Sequence, residues 1–538
     1  MNMEYLGIEP DKQNSILKNY FNNKDKIPSI VGIERRELGA YYTDEHIVNY
    51  ILRKLRVNPD SSILDPSCGC GSFIFPLYLK VSNKNDHMGK VYGVDIDPKA
   101  VSYTVNTLNS LSGTNGIDKI KSHIITEDFI FKPSISDTTA NKANSNAPEI
   151  LIDGSFDFIV GNPPFNLINQ KNKIPLLTKD AHRYIGNRAR NVPIYFILRG
   201  MEILKEGGIL AYVLPKTILY VNRYKEFRDY ILQNFTIIRI TEIGRKFKGV
   251  RGEQIILFLK NKKPRANSSI EFSEFIGRKN IIKKDNNYKI NQNYFNSLNV
   301  IPTLPDLKSY KIIKKLQDLS PSQIFNLDKV GVFRGISIGS DIIKTIPYIK
   351  GSKVQDDYFI RGKDISKLHL KHIAVFNMKA CKEQELTRLR TPKIILQNIY
   401  SSESGLISYL DMEGIPTTET VTNIILEDKK KLAYMFALLN SKLINFYLSQ
   451  VIFSRSRLTM HVDGTYLRQL PLIWNPEREE TEKIAELGAN SHAEQHNGIK
   501  PILKAIDKQV YSLYDMDDES KKLVEEIMAK TLSNKSLW

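Results

Sequence analysis

The segment Ile63-Leu64-Asp65-Pro66-Ser67-Cys68-Gly69-Cys70-Gly71-Ser72-Phe73 decides how the first half of the chain is read. An apolar run ends on an acid, passes through a Gly-x-Gly turn and enters an amphipathic stretch, which is the pattern of a strand running into a helix. Gly69 and Gly71 let the backbone approach a ligand with no Cβ in the way, and the helix N-terminus that follows offers unpaired N–H groups. A dinucleotide fingerprint wants a third small residue three positions after the second glycine, and Ile74 stands there. Asp65 at the head of the turn would repel a phosphate and attract an ammonium group. Both features weaken a pyrophosphate reading. Cys68 and Cys70, two thiols with no histidine nearby, make a poor zinc site.

Outward from this turn, residues 61 to 214 alternate apolar strand-like runs with helical stretches, the signature of a parallel α/β sheet. The strands expected are Ser62–Leu64, Lys90–Val94, Ser122–Ile125, Phe156–Val160 and Gly208–Leu214. Their nearly continuous hydrophobicity implies burial on both faces. Helices are expected over Ser72–Lys80, Pro98–Leu111 and Val192–Lys205, the last stopped by Gly207-Gly208. Residues 132–154, rich in Ser, Thr, Asn and Ala, read as a long surface loop. A break at Lys262-Lys263-Pro264-Arg265 closes this part, and residues 477 to 531 have helical periodicity.

Two more strand ends carry acids. In Val91-Tyr92-Gly93-Val94-Asp95-Ile96-Asp97-Pro98, Asp95 sits where a ribose could offer two hydroxyls, while Asp97 before Pro98 reads as a helix N-cap. In Ile124-Ile125-Thr126-Glu127-Asp128-Phe129, Asp128 can accept from an exocyclic amine and Phe129 can pack on a ring. Three acids at three successive strand ends suit an adenosine with a cationic amino-acid tail better than NAD.

The strand Phe156-Asp157-Phe158-Ile159-Val160 runs into Gly161-Asn162-Pro163-Pro164-Phe165. Two prolines remove two backbone donors and stiffen the turn, leaving carbonyls with nothing internal to bind. Asn162 adds a side-chain carbonyl and Phe165 an aromatic plane, a set of acceptors beside a stacking surface that suits a planar group bearing an NH2.

The chain has 538 residues and ordinary globular composition, 41% hydrophobic and 25% charged. It shows no run near the ~18 apolar residues of a membrane span and no signal-peptide pattern, so a cytoplasmic protein with no membrane partner is expected. Three cysteines give no disulfide framework. The net charge of +18 is unevenly spread: residues 171–400 hold 44 basic and 19 acidic residues, a net of 44 − 19 = +25, while the flanking parts are slightly negative. Such a stretch is the footprint expected of a polyanion-binding surface, the alternative being a solvated basic face on a lysine-rich protein.

In order and spacing these motifs resemble the S-adenosylmethionine-dependent N6-adenine DNA methyltransferases of restriction-modification systems, specifically the γ group. Gly39-Ala40-Tyr41-Tyr42-Thr43 looks like that family's first cofactor motif, and the glycine turn, Asp95, Asp128-Phe129 and Asn162-Pro163-Pro164-Phe165 follow in the family's order. Asp44 stands where relatives usually have proline. The likeness covers about residues 35 to 260, with looser similarity beyond, at Gly331-Val332-Phe333-Arg334-Gly335, at 359–365, at the helix-like stretch 432–448 and at 506–514.

The resemblance implies a Rossmann-like α/β methyltransferase sheet (35–262) after an N-terminal extension (1–34). A mixed α/β target-recognition domain (263–475) and a helical segment (476–538) would follow. It implies S-adenosylmethionine as cofactor, held by Thr43, Asp65, Gly69, Gly71, Asp95, Ile96, Asp128 and Phe129, and no metal. It implies catalysis by the loop Asn162, Pro163, Pro164 and Phe165, with Phe165 and Phe247 stacking on an extruded adenine. The partner implied is double-stranded DNA, with Arg183, Arg188 and Arg190 expected on its phosphates and a cognate restriction endonuclease expected as a separate protein. The rival substrates of the same chemistry are an RNA base and a protein glutamine amide, because the loop serves any planar NH2 group.

Overall fold

The computed structural model describes residues 10–23, 27, 43–81, 90–112, 117–132, 154–165, 174–175, 191–247, 250, 252–276, 281–282, 287–304, 306–319, 324–327, 329–337, 342–349, 353–376, 383–491 and 499–532. The chain divides into two compact units, residues 1–299 and 300–538.

The first unit is built on a ten-stranded mixed sheet. Its strands are β1 (Ile63–Asp65), β2 (Val91–Asp95), β3 (Ile124–Thr126), β4 (Phe156–Gly161), β5 (Leu204–Pro215), β6 (Thr236–Gly244), β7 (Gln254–Lys260), β8 (Ser269–Ile276), β9 (Ile281–Ile282) and β10 (Tyr288–Asn291). They lie in the order β9-β8-β6-β7-β5-β4-β1-β2-β3, with β10 beside β8. Neighbours from β3 through β5 run parallel, and β7 inserts antiparallel between β5 and β6. From β1 the chain steps outward to β2 and β3, then returns to place β4 and β5 on β1's other side. That reversal opens a crevice at the carboxyl ends of β1 and β4, where ligands of open α/β sheets bind.

Helices α1 (Pro10–Asn23), α2 (Glu45–Leu55), α3 (Ile74–Val81), α4 (Pro98–Ser112), α5 (Ile117–His123), α6 (Val192–Ile203) and α7 (Lys225–Asn234) accompany the sheet. The apolar face of α2, Ile47, Val48, Ile51 and Leu52, packs in one core with Ile63, Val91, Phe75 and Tyr78. Each such side chain, fully buried, contributes about 1.5–3 kcal/mol, so this core fixes where the strand ends lie.

Strands β1 to β4 begin and end within two residues of the expected positions. At α6 the structure differs from expectation. The helix ends at Ile203, and Leu204 already pairs with Phe156, so Gly207 and Gly208 lie inside β5 rather than capping a helix. Gly207, at φ +81, serves the register shift between Phe156 and Phe158, and its N–H bonds Asn261 O at 2.8 Å. The expected boundary at residue 262 is also displaced. β8 pairs parallel with β6 in the same sheet, so the first unit runs on to Asn299. The loop expected at 132–154 lies almost wholly outside the described residues.

The second unit contains α8 (Leu307–Asp318) and a four-stranded antiparallel sheet in the order β11 (Gly331–Arg334), β18 (Val421–Ile425), β15 (Lys393–Gln397), β17 (Ser408–Asp411). Further strands are β12 (Ile342–Pro347), β13 (Tyr358–Phe359), β14 (His372–Phe376), β16 (Ile399–Tyr400) and β19 (Met460–His461). β12, β14 and β13 form a three-stranded sheet, and β16 pairs with β19. The helix-like stretch 432–448 is two helices, α9 (Lys429–Asn440) and α10 (Lys442–Tyr447), broken at Ser441, whose extended backbone caps the second. The C-terminal helical segment comprises α11 (Glu479–Asn490), α12 (Ile499–Leu513) and α13 (Asp518–Thr531). A Cβ at Gly488 of α11 would run into Ala433 O of α9, so glycine there permits close helix packing.

Candidate functional site

At the carboxyl end of β1, Asp65 is 1% exposed, and its Oδ1 accepts the Ser67 N–H at 3.1 Å. The turn that follows uses Gly69 at φ +48 and Gly71 at φ +92, both left-handed, and a Cβ at Gly71 would strike the Phe75 ring. Gly69 N–H donates to Asp95 Oδ2 at 2.7 Å, and Asp95 Oδ1 accepts the Asp97 N–H at 3.0 Å. One carboxylate at the end of β2 thus ties the glycine turn to its own strand end. Cys68 N–H to Val94 O (2.9 Å) and Glu127 N–H to Asp95 O (3.0 Å) draw the ends of β1, β2 and β3 together. Asp97 accepts the Lys99 N–H at 2.9 Å at the start of α4, the N-cap geometry.

Burial pushes the Asp65 carboxyl well above the usual carboxylate range, with Asp95 adding to the shift and the Ser67 N–H opposing it. Burial likewise raises Asp95, against the pull of the Asp97 and Gly69 N–H groups. Two desolvated acids facing one crevice favour a cationic ligand, whose charge would stabilise their ionised forms. Ser67 Oγ is buried there with no hydrogen-bond partner among the described residues.

The double-proline loop lies against this acid. A Cβ on Gly161, the last residue of β4, would stand 2.8 Å from Asp65 Oδ1 and 3.4 Å from Ser67 Oγ, so glycine there permits the close approach of the two strand ends. Asn162 follows at once, half-buried, then buried Pro163 and half-buried Pro164 and Phe165. The Phe165 ring meets Phe247, 7% exposed, edge to face with centroids 6.1 Å apart. Gln254, 1% exposed at the start of β7, holds both sides of the Phe247 loop: its Oε1 accepts the Lys246 N–H at 3.0 Å and its Nε2 donates to Gly252 O at 2.5 Å.

Thr43 is buried one residue before Asp44, which opens α2. Ile96, 50% exposed, projects at the end of β2 beside Asp95. Asp128 is half-buried and accepts the Ile130 N–H at 3.2 Å, whereas Phe129 is buried against Phe196, centroids 5.3 Å apart. Gly39 to Tyr42 and Arg183, Arg188 and Arg190 lie outside the described residues.

Sequence reasoning missed three contributors. Gly161 gave no signal beyond its place before Asn162. Gln254 reads as an ordinary strand start. Tyr20 of α1, treated as mere extension, hydrogen-bonds Ser72 Oγ at 2.9 Å and meets the Phe75 ring edge to face, centroids 4.9 Å apart. The spacing of Leu17, Tyr20 and Phe21, all packed on the core, could have exposed that helix. Among the described residues no group of three or more His, Cys, Asp or Glu could hold a metal, and no helix is long and apolar enough to cross a membrane.

Residues 89–248 match the family model described as Eco57I restriction-modification methylase, and residues 357–472 match a TaqI-like C-terminal specificity domain. The type II restriction enzyme and methyltransferase RM.Eco57I of Escherichia coli is 24% identical over 358 residues, 56% of this chain and 35% of its own. The type II methyltransferase M.HindII of Haemophilus influenzae is 24% identical over 313 residues, 55% of this chain and 52% of its own. The chain therefore spans about a third to about half the length of these curated relatives. Among solved structures, the type IIL restriction-modification enzyme MmeI in complex with DNA aligns with 99% of this chain and 80% of its own at a TM-score of 0.51 and 12% identity, a likeness of fold. The chain thus carries an Eco57I-like restriction-modification methylase domain and, after it, a TaqI-like C-terminal specificity domain.

Proposed function

We propose that the chain methylates DNA within a restriction-modification system, transferring the methyl group of S-adenosylmethionine to N6 of an adenine extruded from the duplex. One observation carries the reading: the Asp65 carboxyl and Gly161 meet at the strand reversal, so the acidic crevice and the Asn162-Pro163-Pro164-Phe165 loop are neighbours. Gly69, Gly71, desolvated Asp65 and Asp95 and exposed Ile96 fit the cofactor's ammonium, ribose and adenine parts, with Thr43 toward its carboxylate and Asp128 and Phe129 toward its base. When bound, S-adenosylmethionine supplies an electrophilic methyl group on a sulfonium.

Adenine N6 is a weak nucleophile because its lone pair is delocalised into the ring. The Asn162 side-chain oxygen and the Pro163 carbonyl accept the two N6 hydrogens and push the nitrogen toward sp3. Both bonds strengthen as positive charge develops on N6, so they favour the transition state over the ground state. Phe165 and Phe247 offset the stacking lost when the base leaves the helix. Arg183, Arg188 and Arg190 act on phosphates, and a restriction endonuclease on a separate chain is the expected partner.

The test is transfer of a labelled methyl group to duplex DNA, RNA and protein, with mapping of the modified atom. Transfer to adenine N6 in DNA, lost by more than about a hundredfold in Asn162→Ala, is the expected result, because the variant loses a preorganised acceptor aimed at the charge developing on N6, and one such hydrogen-bonding group is worth about that much. Label appearing in RNA or in glutamine would sink the substrate assignment. An Asn162→Ala protein with undiminished transfer would sink the catalytic one.

A further inference from the structure

Along Arg457-Leu458-Thr459-Met460-His461 exposure alternates: Arg457, Thr459 and His461 are exposed, while Leu458 and Met460 are half-buried. The segment falls within the residues that match the specificity domain. Its last two residues form β19, antiparallel to β16, with His461 opposite Ile399 and Met460 opposite Tyr400. Directly opposed residues share a face. Ile399 is 57% exposed and Tyr400 1%, so the ribbon has one wet face and one packed face.

Both ends of the segment are braced. Upstream, Leu448–Ile452 forms a π-helical turn, after which Ser454 and Arg455 take φ of 46 and 59, where residues other than glycine are uncommon. Ser454 is fully buried and its Oγ accepts the Thr303 N–H at 3.0 Å, while Arg455 N–H donates to Ser449 O at 2.8 Å. Downstream, Val462 N–H donates to Asn398 O at 2.8 Å, and Val462 O accepts the Thr422 hydroxyl at 3.0 Å. Solubility alone does not call for such anchoring of an exposed strip. Holding side chains in register with a partner does.

The chemistry of the strip is directional. Residues 453 to 461 hold Arg455, Arg457 and His461 and no acid, which suits a polyanion. A guanidinium presents paired donors that match guanine O6 and N7, threonine offers a hydroxyl and a methyl that meets the thymine methyl, and imidazole offers donor and acceptor. A two-stranded ribbon fits the major groove.

We propose that the exposed face of β19 and the residues just before it, Arg457, Thr459 and His461 with Ile399 alongside, reads base edges of duplex DNA and helps set the sequence the chain selects. The proposal deepens the function proposed above and rests on it only for DNA as the substrate. Anchoring on phosphates, the other use of such side chains, is indifferent to sequence.

Duplexes bound by the full chain are selected from a random-sequence pool and sequenced, for the unaltered protein and for Arg457→Ala, Arg457→Lys, Thr459→Val and His461→Ala, with methyl transfer measured in parallel. The unaltered chain is expected to select a defined motif. Each variant should lose roughly tenfold to a hundredfold of preference at one position and keep the rest of the motif. Arg457→Lys, which keeps the charge and loses the fork, should behave like the alanine variant at that position. Variants that weaken binding uniformly while selecting the unchanged motif overturn the proposal, as does an unaltered chain that selects none. A chain that selects a motif yet methylates no adenine leaves this inference standing and overturns the methyl-transfer reading instead.

Discussion

Phe165 and Phe247 meet with their ring planes at 83°, although 81 positions of sequence separate them (247 − 165 = 82, less one). One ring follows the double-proline loop at the end of β4 and the other follows β6, so two strand ends supply a right-angled aromatic corner. On the function proposed above, a base entering that corner would stack on one face and be bounded by the other ring. Base–aromatic stacking is worth about 1–3 kcal/mol per base. Phe247→Ala should therefore lower the emission of 2-aminopurine placed at the target position as an extruded base and weaken binding of that duplex by about five- to a hundredfold. Cofactor affinity, measured by calorimetry, should stay unchanged.

Gln254 acts on the same corner through the backbone. It holds Lys246 and Gly252, on the two sides of Phe247, by separate hydrogen bonds. Gln254→Leu keeps the bulk and removes both, and leaving a buried donor or acceptor unsatisfied costs about 1–3 kcal/mol. The expected outcome is a fall of about tenfold or more in kcat/KM for DNA with no change in cofactor Kd. Equal losses on both substrates would mean that Gln254 supports the unit's folding rather than the aromatic corner.

How much of this was legible in the sequence follows from the range of the interactions involved. That Asp65, Gly69 and Asp95 gather at adjoining strand ends could be read because a strand ending in an acid before glycine is a local pattern. The Asp97 cap was legible for the same reason. Gln254 and Gly161 were not, since their importance lies in what faces them across the sheet, at Lys246 and at Asp65. The boundary near 262 misled because a Lys-Pro-rich turn looks like a linker, whereas β8 after it continues the sheet through parallel pairing with β6. Gly207-Gly208 carried a helix-stop signal, but pairing of Leu204 with Phe156 overrode that local preference.

Gly161→Ala tests the contact between acid and loop. The added methyl would stand 2.8 Å from Asp65 Oδ1, closer than van der Waals contact allows, so the carboxyl or the strand end must shift. Because Asp65 is buried, it has little room to move away. Cofactor affinity should fall by at least about tenfold, since a displacement near 1 Å in a catalytic constellation can cost a hundredfold. Melting temperature in the absence of ligand should fall as well, since the crowded contact is present in the empty fold, so affinity is compared at a temperature where both proteins are folded. An alanine variant that binds cofactor normally would show that the carboxyl can yield.

Asp65 also gives a pH dependence whose sign can be worked out. Its carboxyl and that of Asp95 are raised in the fold from the ordinary 3.8, burial being the main cause for both. Below 3.8 the protonated carboxyls carry no such penalty. As pH rises, the unfolded chain ionises first, so the fold loses stability until pH has passed the raised values. Asp65→Asn removes one of these groups while Oδ1 can still accept the Ser67 N–H. Without ligand the variant should melt above the unaltered chain at neutral pH, by a margin that shrinks as the pH is lowered toward 4. With S-adenosylmethionine the order should reverse, because a cationic amino group stabilises the ionised carboxylate and cannot do so for the amide. Melting curves from pH 4 to 8, with and without cofactor, read both effects. A variant that keeps the full cofactor-induced rise would mean that the ammonium group lies elsewhere than against Asp65.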